Sequence, residues 1–131
     1  MRTPEQIDRL VAAARAWEGT PFGMGPAIRG RGVCCGMLIH EILVDAGWMP
    51  RIECPTASPS WARSSNHSVM ETWFDGEGAR WFQPVPVTEL EPGDVLGCRL
   101  GRCLHHLALL LPDGQVAHAV DGSGACIVPS I

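Results

Sequence analysis

The chain has 131 residues, 46% of them apolar and 18% charged, and a net charge of −4. That length suits one domain, 1–131, with a buried core, and the acidic balance supports neither nucleic-acid binding nor a basic face for anionic lipid. The longest apolar run, around Leu107–Leu111, is far too short to span a bilayer. The N-terminal residues carry scattered charge and no signal-type apolar stretch, so the expectation is a product made in the cytoplasm without a Sec signal.

Thr3-Pro4-Glu5-Gln6 is a helix start, with Thr as N-cap, Pro at the first turn and Gln three residues after the cap. Ile7, Leu10, Val11, Ala14 and Trp17 follow at helical spacing, and Gly19 ends the run. Residues 19–32 hold five glycines and two prolines and read as a loop. A second helix is expected from about Cys35 to Ala46, with Leu38, Ile39, Ile42, Leu43 and Ala46 facing inward and Gly47 at its C-terminal cap. Cys35 falls on that stripe and Cys34 does not. Residues 48–88 form a long excursion in which a short helix near 67–74, capped by Ser65 or Asn66, is expected. Trp61, Trp73 and Trp81 lie there, where they would cover the sheet or, as the alternative, form walls of a substrate groove. Four strands then follow, at about 95–100, 106–111, 115–120 and 125–128, with a hairpin turn at Pro112-Asp113-Gly114. Helices first and an antiparallel meander afterwards make an α+β pattern.

The chemistry-bearing residues are Cys35, His106 and His118. A thiol at the first turn of a helix has its thiolate favoured by the helix N-terminus and by a nearby imidazolium. The glycine-rich approach lets a substrate backbone come close. His106 and His118 lie one hairpin apart near the same end of adjacent strands, whose spacing of about 5 Å would let their rings meet. The histidine nearer the thiol would act as base and later as acid, the other would orient it, and N–H groups at the helix start would hold an oxyanion. His105 would face away from His106, and His40 is expected on the helix surface. Six cysteines, 34, 35, 54, 98, 103 and 126, are expected mostly as reduced thiols. Cys98 and Cys103 with His105 and His106 form a weaker metal-like cluster, because structural zinc usually wants two tight ligand pairs.

Five segments occur together in order: Ala-Trp-Glu-Gly-Thr-Pro-Phe (16–22), Gly-Val-Cys-Cys-Gly-Met-Leu (32–38), Leu-Glu-Pro-Gly-Asp-Val (90–95), His106-Leu-Ala-Leu and Val-Ala-His118-Ala. In this the chain resembles the NlpC-type cell-wall cysteine peptidases, and is most similar to the branch encoded in phage and prophage tail clusters. The resemblance implies a papain-like core, with the nucleophile helix packed on a four- to six-stranded antiparallel sheet. It implies hydrolysis of peptidoglycan stem peptides, typically between γ-D-glutamate and a diamino acid. Cys35, His106 and His118 are assigned as nucleophile, base and orienting residue, with Phe22 and Gly36 near the substrate. No cofactor and no metal are implied. The partners would be the stem peptide and phage-like tail proteins, and the site of action the cell wall. Cys34 stands where the family commonly has an aspartate, and Phe22 where it has a tyrosine. The alternatives from the residues are a non-catalytic structural component of a phage-like tail, a zinc-stabilised interaction module, and an amidase or acyltransferase on the same scaffold.

Overall fold

In the computed structural model, residues 2–54, 69–100 and 103–130 are described. Helix α1 (Pro4–Trp17) begins with a reciprocal cap: Gln6 N–H donates to Thr3 Oγ1 at 3.1 Å and Thr3 N–H donates to the Gln6 side chain at 2.8 Å. Leu10, Ala13, Ala14 and Trp17 form its buried face, and Ile7 and Val11 lie at the edge of that face.

Helix α2 (Cys35–Asp45) buries Leu38, Ile39, Ile42 and Leu43, and Ala46 follows as its C-cap. Gly47 then takes φ +76, a conformation that suits glycine at a helix end. His40, expected on the surface, is instead buried at 4% exposure. The reason is the segment after the helix, which runs back along it. Arg51 pairs with the buried Glu41 at 2.5 Å, and Ile52 N–H donates to His40 Nε2 at 3.0 Å. The helix is therefore covered on a side that its apolar stripe alone leaves open.

The short helix of the excursion is α3 (Val69–Asp75); its expected first residues and caps, and Trp61, lie outside the described residues. Trp73, Phe74 and Phe82 meet as a cluster with ring centroids 5.2–6.1 Å apart. Trp81 is 42% exposed.

The sheet holds β1 (Val95–Leu100), β2 (Cys103–Leu110), β3 (Val116–Val120) and β4 (Gly124–Val128), antiparallel throughout and in chain order. Asp113 at φ 62 and Gly114 at φ 73 turn β2 into β3. Helices α1 and α2 bury their apolar sides, together with Leu107, Leu109, Ala117, Ala119 and Ala125, in one core. Fully burying a Leu or Ile side chain of this kind contributes about 2 kcal/mol.

Pairing along the sheet is uneven. The β1–β2 ladder runs from Val95↔Leu109 to Leu100↔Cys103 with an irregularity between Cys98 and Arg99, and the β3–β4 ladder runs from Val116↔Val128 to Val120↔Gly124. Among the described residues the β2–β3 ladder contains only Leu109↔Ala117 and Leu110↔Val116, and no β2–β3 pair follows on the His106 side of Leu109. Among the described residues no helix is long and apolar enough to cross a membrane.

Candidate active site

Cys35 is the first residue of α2 and is 8% exposed. Cys34 precedes it in extended conformation as the N-cap and makes no side-chain capping bond. A thiol cannot cap as a carboxylate or hydroxyl does. The glycine-rich loop delivers this start of α2. Phe22, half-buried, pairs with Val33 in a parallel bridge, with Val33 N–H donating to Pro21 O at 3.0 Å and Gly23 N–H to Val33 O at 3.1 Å. Gly36 lies against β2: a Cβ built on it would sit 3.8 Å from Leu107 Cδ1.

The loop is anchored by a residue whose role sequence reasoning did not single out. Thr20, 1% exposed, accepts from Gly30 N–H on its hydroxyl at 3.0 Å and from Ala125 N–H on its carbonyl at 2.8 Å. Gly124, at φ +71, makes this approach possible, since a Cβ there would lie 2.4 Å from Thr20 O. The Gly-Thr-Pro segment is thus a hook onto β4. The Leu-Glu-Pro-Gly-Asp segment is likewise structural. Asp94 Oδ2 accepts from Glu91 N–H at 2.9 Å, Arg2 bridges Glu91 and Asp94 at 2.9 and 3.0 Å, and Gly93 sits under the Trp48 ring.

His106 and His118 meet beyond the last described β2–β3 pair. His106 Nε2 and His118 Nδ1 are 2.9 Å apart, and the rings cross at 66°. Continued one step, the β2–β3 register would set His118 opposite Ala108, which makes His106 its diagonal neighbour on the same face. Strand alternation puts both at opposite parity to Leu107, Leu109, Ala117 and Ala119, which point into the helix layer.

Burial pushes the Cys35 thiol up, opposed by the main-chain N–H groups of Leu107, Gly36 and Cys35 itself; the neighbouring Cys34 adds to the rise. Burial holds His118 below its ordinary value. Burial thus disfavours the charged form of both groups. The structure places Cys35 and Gly36 against Leu107, the residue after His106, and joins His106 to His118. Phe22 is in the loop before the helix, two residues along a bridge from Cys35. The side chains of Cys103 and His105 lie outside the described set. Among the described residues no three His, Cys, Asp or Glu side chains are placed to hold a metal ion.

Among solved structures, the chain is similar to a protein of the NLP/P60 family from Staphylococcus aureus, described as similar to a lipoprotein, with TM-score 0.61 and 21% identity over 95% of this chain. It is also similar to RipD of Mycobacterium tuberculosis, described as a non-catalytic NlpC/p60 domain protein adapted to peptidoglycan binding, with TM-score 0.56 and 17% identity over 98% of this chain. The chain spans 37% of the length of the staphylococcal protein and 89% of that of RipD. No protein-family model and no curated protein matches it. The chain has the NlpC/P60 fold, with its helices on a four-stranded antiparallel sheet.

Proposed function

We propose that the protein is a cysteine peptidase that hydrolyses peptide bonds in peptidoglycan stem peptides, at a γ-D-glutamyl–diamino acid bond. The observation that carries this reading is the His106–His118 contact at 2.9 Å, on a strand whose Leu107 packs against Gly36 in the first turn of the Cys35 helix.

The chemistry follows from ring tautomers. In this mechanism His118 accepts on Nδ1 and His106 carries its proton on Nε2, which makes His106 Nδ1 the basic nitrogen. As Cys35 Sγ attacks the scissile carbonyl carbon, the thiol proton moves to His106 Nδ1. The resulting imidazolium still donates from Nε2 to His118, which stabilises it. The carbonyl oxygen, now an oxyanion, is held by N–H groups at the start of α2. Collapse expels the amine, which takes the proton from His106. Water, deprotonated by His106, then hydrolyses the thioester and regenerates the thiol.

The uncapped start of α2 favours a second reading. With Cys34 at the N-cap and no side chain bonded to the first turn, a domain that holds the stem peptide without cutting it is the alternative, as RipD is described. In either case the stem peptide is the ligand, and the setting we propose is the cell wall, reached as part of a phage-like particle. The motif resemblance to tail-encoded proteins supports that setting, and tail genes around the coding sequence would test it.

Incubation with purified muropeptides, followed by mass spectrometry of the products, separates the two readings. The peptidase reading predicts cleavage that Cys35→Ala lowers by about 10³-fold or more, with most activity kept in Cys34→Ala. Muropeptide binding without cleavage by the wild type would establish the second reading.

A further inference from the structure

Main-chain hydrogen bonds along β2 alternate in direction. Leu110 N–H donates toward β1, to Asp94 O at 2.9 Å, and Leu111 N–H donates toward β3, to Gln115 O at 2.8 Å. The alternation turns the N–H groups of Leu109 and Leu107 toward β3. Leu109 is within the β2–β3 ladder, opposite Ala117, whereas Leu107 lies beyond its last pair. Leu107 is 6% exposed, and a buried main-chain N–H with no acceptor costs as much as a lost hydrogen bond. At this level the first turn of α2 packs on β2, with Gly36 against the Leu107 side chain and the buried Cys35 preceding it.

We propose that the Leu107 N–H donates to Cys35 Sγ, in place of the β3 carbonyl it lacks, and forms with the N–H groups of Cys35 and Gly36 a three-donor cradle for the thiolate. Leu107 would then be a catalytic residue through its main chain alone, with its side chain in the core. The balance of influences on the thiol agrees: burial pushes it up, and the Leu107 N–H is the strongest of the groups that oppose the rise. A donor supplied by an interrupted sheet also explains why the ladder stops where it does. Two further β2–β3 pairs would take this N–H for the ladder.

The inference rests on Cys35 as the proposed nucleophile for its catalytic meaning, yet it is tested without a wall substrate, so failed muropeptide cleavage overturns that reading and not this one. Cys103 permits native ligation of a synthetic 103–131 segment in which residue 107 is leucic acid, replacing the amide N–H by an ester oxygen. In the Cys34→Ser background, the full-length 107 ester should show the pH midpoint for iodoacetamide alkylation of Cys35 raised by about one pH unit. The 109 ester, which removes a ladder N–H, should lower the melting temperature and leave that midpoint in place. An unchanged midpoint in the 107 ester, or equal shifts in both, would overturn the proposal. In the wild-type backbone, the Leu107 amide proton resonance should titrate with the Cys35 midpoint, and an amide insensitive to thiol ionisation would overturn it equally.

Discussion

The two ends of β2 do different jobs. At Leu109–Leu110 the strand is laddered to both neighbours, and Leu109 is fully buried. At His106–Ala108 the described residues ladder to β1 alone, the His106 and His118 rings meet, and Gly36 of α2 lies against the Leu107 side chain. The closed end holds the sheet and the helix layer together. The other end carries the His106–His118 contact and the packing of Leu107 against the first turn of α2. The residues proposed to react lie where β2–β3 pairing stops, while the β1–β2 and β3–β4 ladders continue past that point.

That contrast predicts separable effects. His106→Ala at the histidine end should lower turnover by about 10³-fold and leave the melting temperature near that of the wild type, measured by muropeptide kinetics and calorimetry. Leu109→Ala at the closed end should cost about 3 kcal/mol of stability in denaturant unfolding, while the folded fraction keeps its thiol reactivity. Gly124→Ala, which drives a Cβ into Thr20 O at a positive φ, should cost about 2 kcal/mol and disturb the loop before Cys35. Equal losses of turnover and stability in all three would erase the distinction.

The smallest effect expected is on pH dependence. Burial lowers the pKa of both His40 and His118 below the ordinary histidine value. Above about pH 6.5 both are neutral whether folded or unfolded, and contribute no pH dependence. Below it the unfolded chain takes up protons that the folded chain resists, so stability falls as the pH falls. The melting temperature should drop by a few degrees from about pH 7 to about pH 5. His40→Gln, whose amide oxygen can accept from Ile52 N–H without titrating, should flatten part of that drop.

Much of this architecture is legible in the sequence because it is written in local signals. The Thr3–Gln6 cap, the α2 stripe ending at Gly47 and the Asp113-Gly114 turn each depend on neighbours a few residues apart. Helix phase set Cys35 apart from Cys34, and hairpin geometry brought His106 near His118. His40 was misplaced because its partner, Ile52, arrives from a segment whose path no periodicity encodes. The short β2–β3 ladder and the Leu107 N–H are equally invisible, since hydrogen-bond direction is a property of strand pairing and any side chain could occupy position 107. Thr20 and Gly124 were visible only as turn residues, and their contact joins chain segments about a hundred residues apart.

The proposed mechanism requires the Cys35 thiol to be coupled to the His106–His118 pair. The most direct test is the rate of Cys35 alkylation by iodoacetamide at neutral pH, read by mass spectrometry of the Cys35 peptide, in the wild type and in His106→Ala. Coupling predicts a rate at least about tenfold slower in the variant, since the thiolate is the reacting form and the imidazole promotes it. Equal rates in two folded proteins would contradict the account.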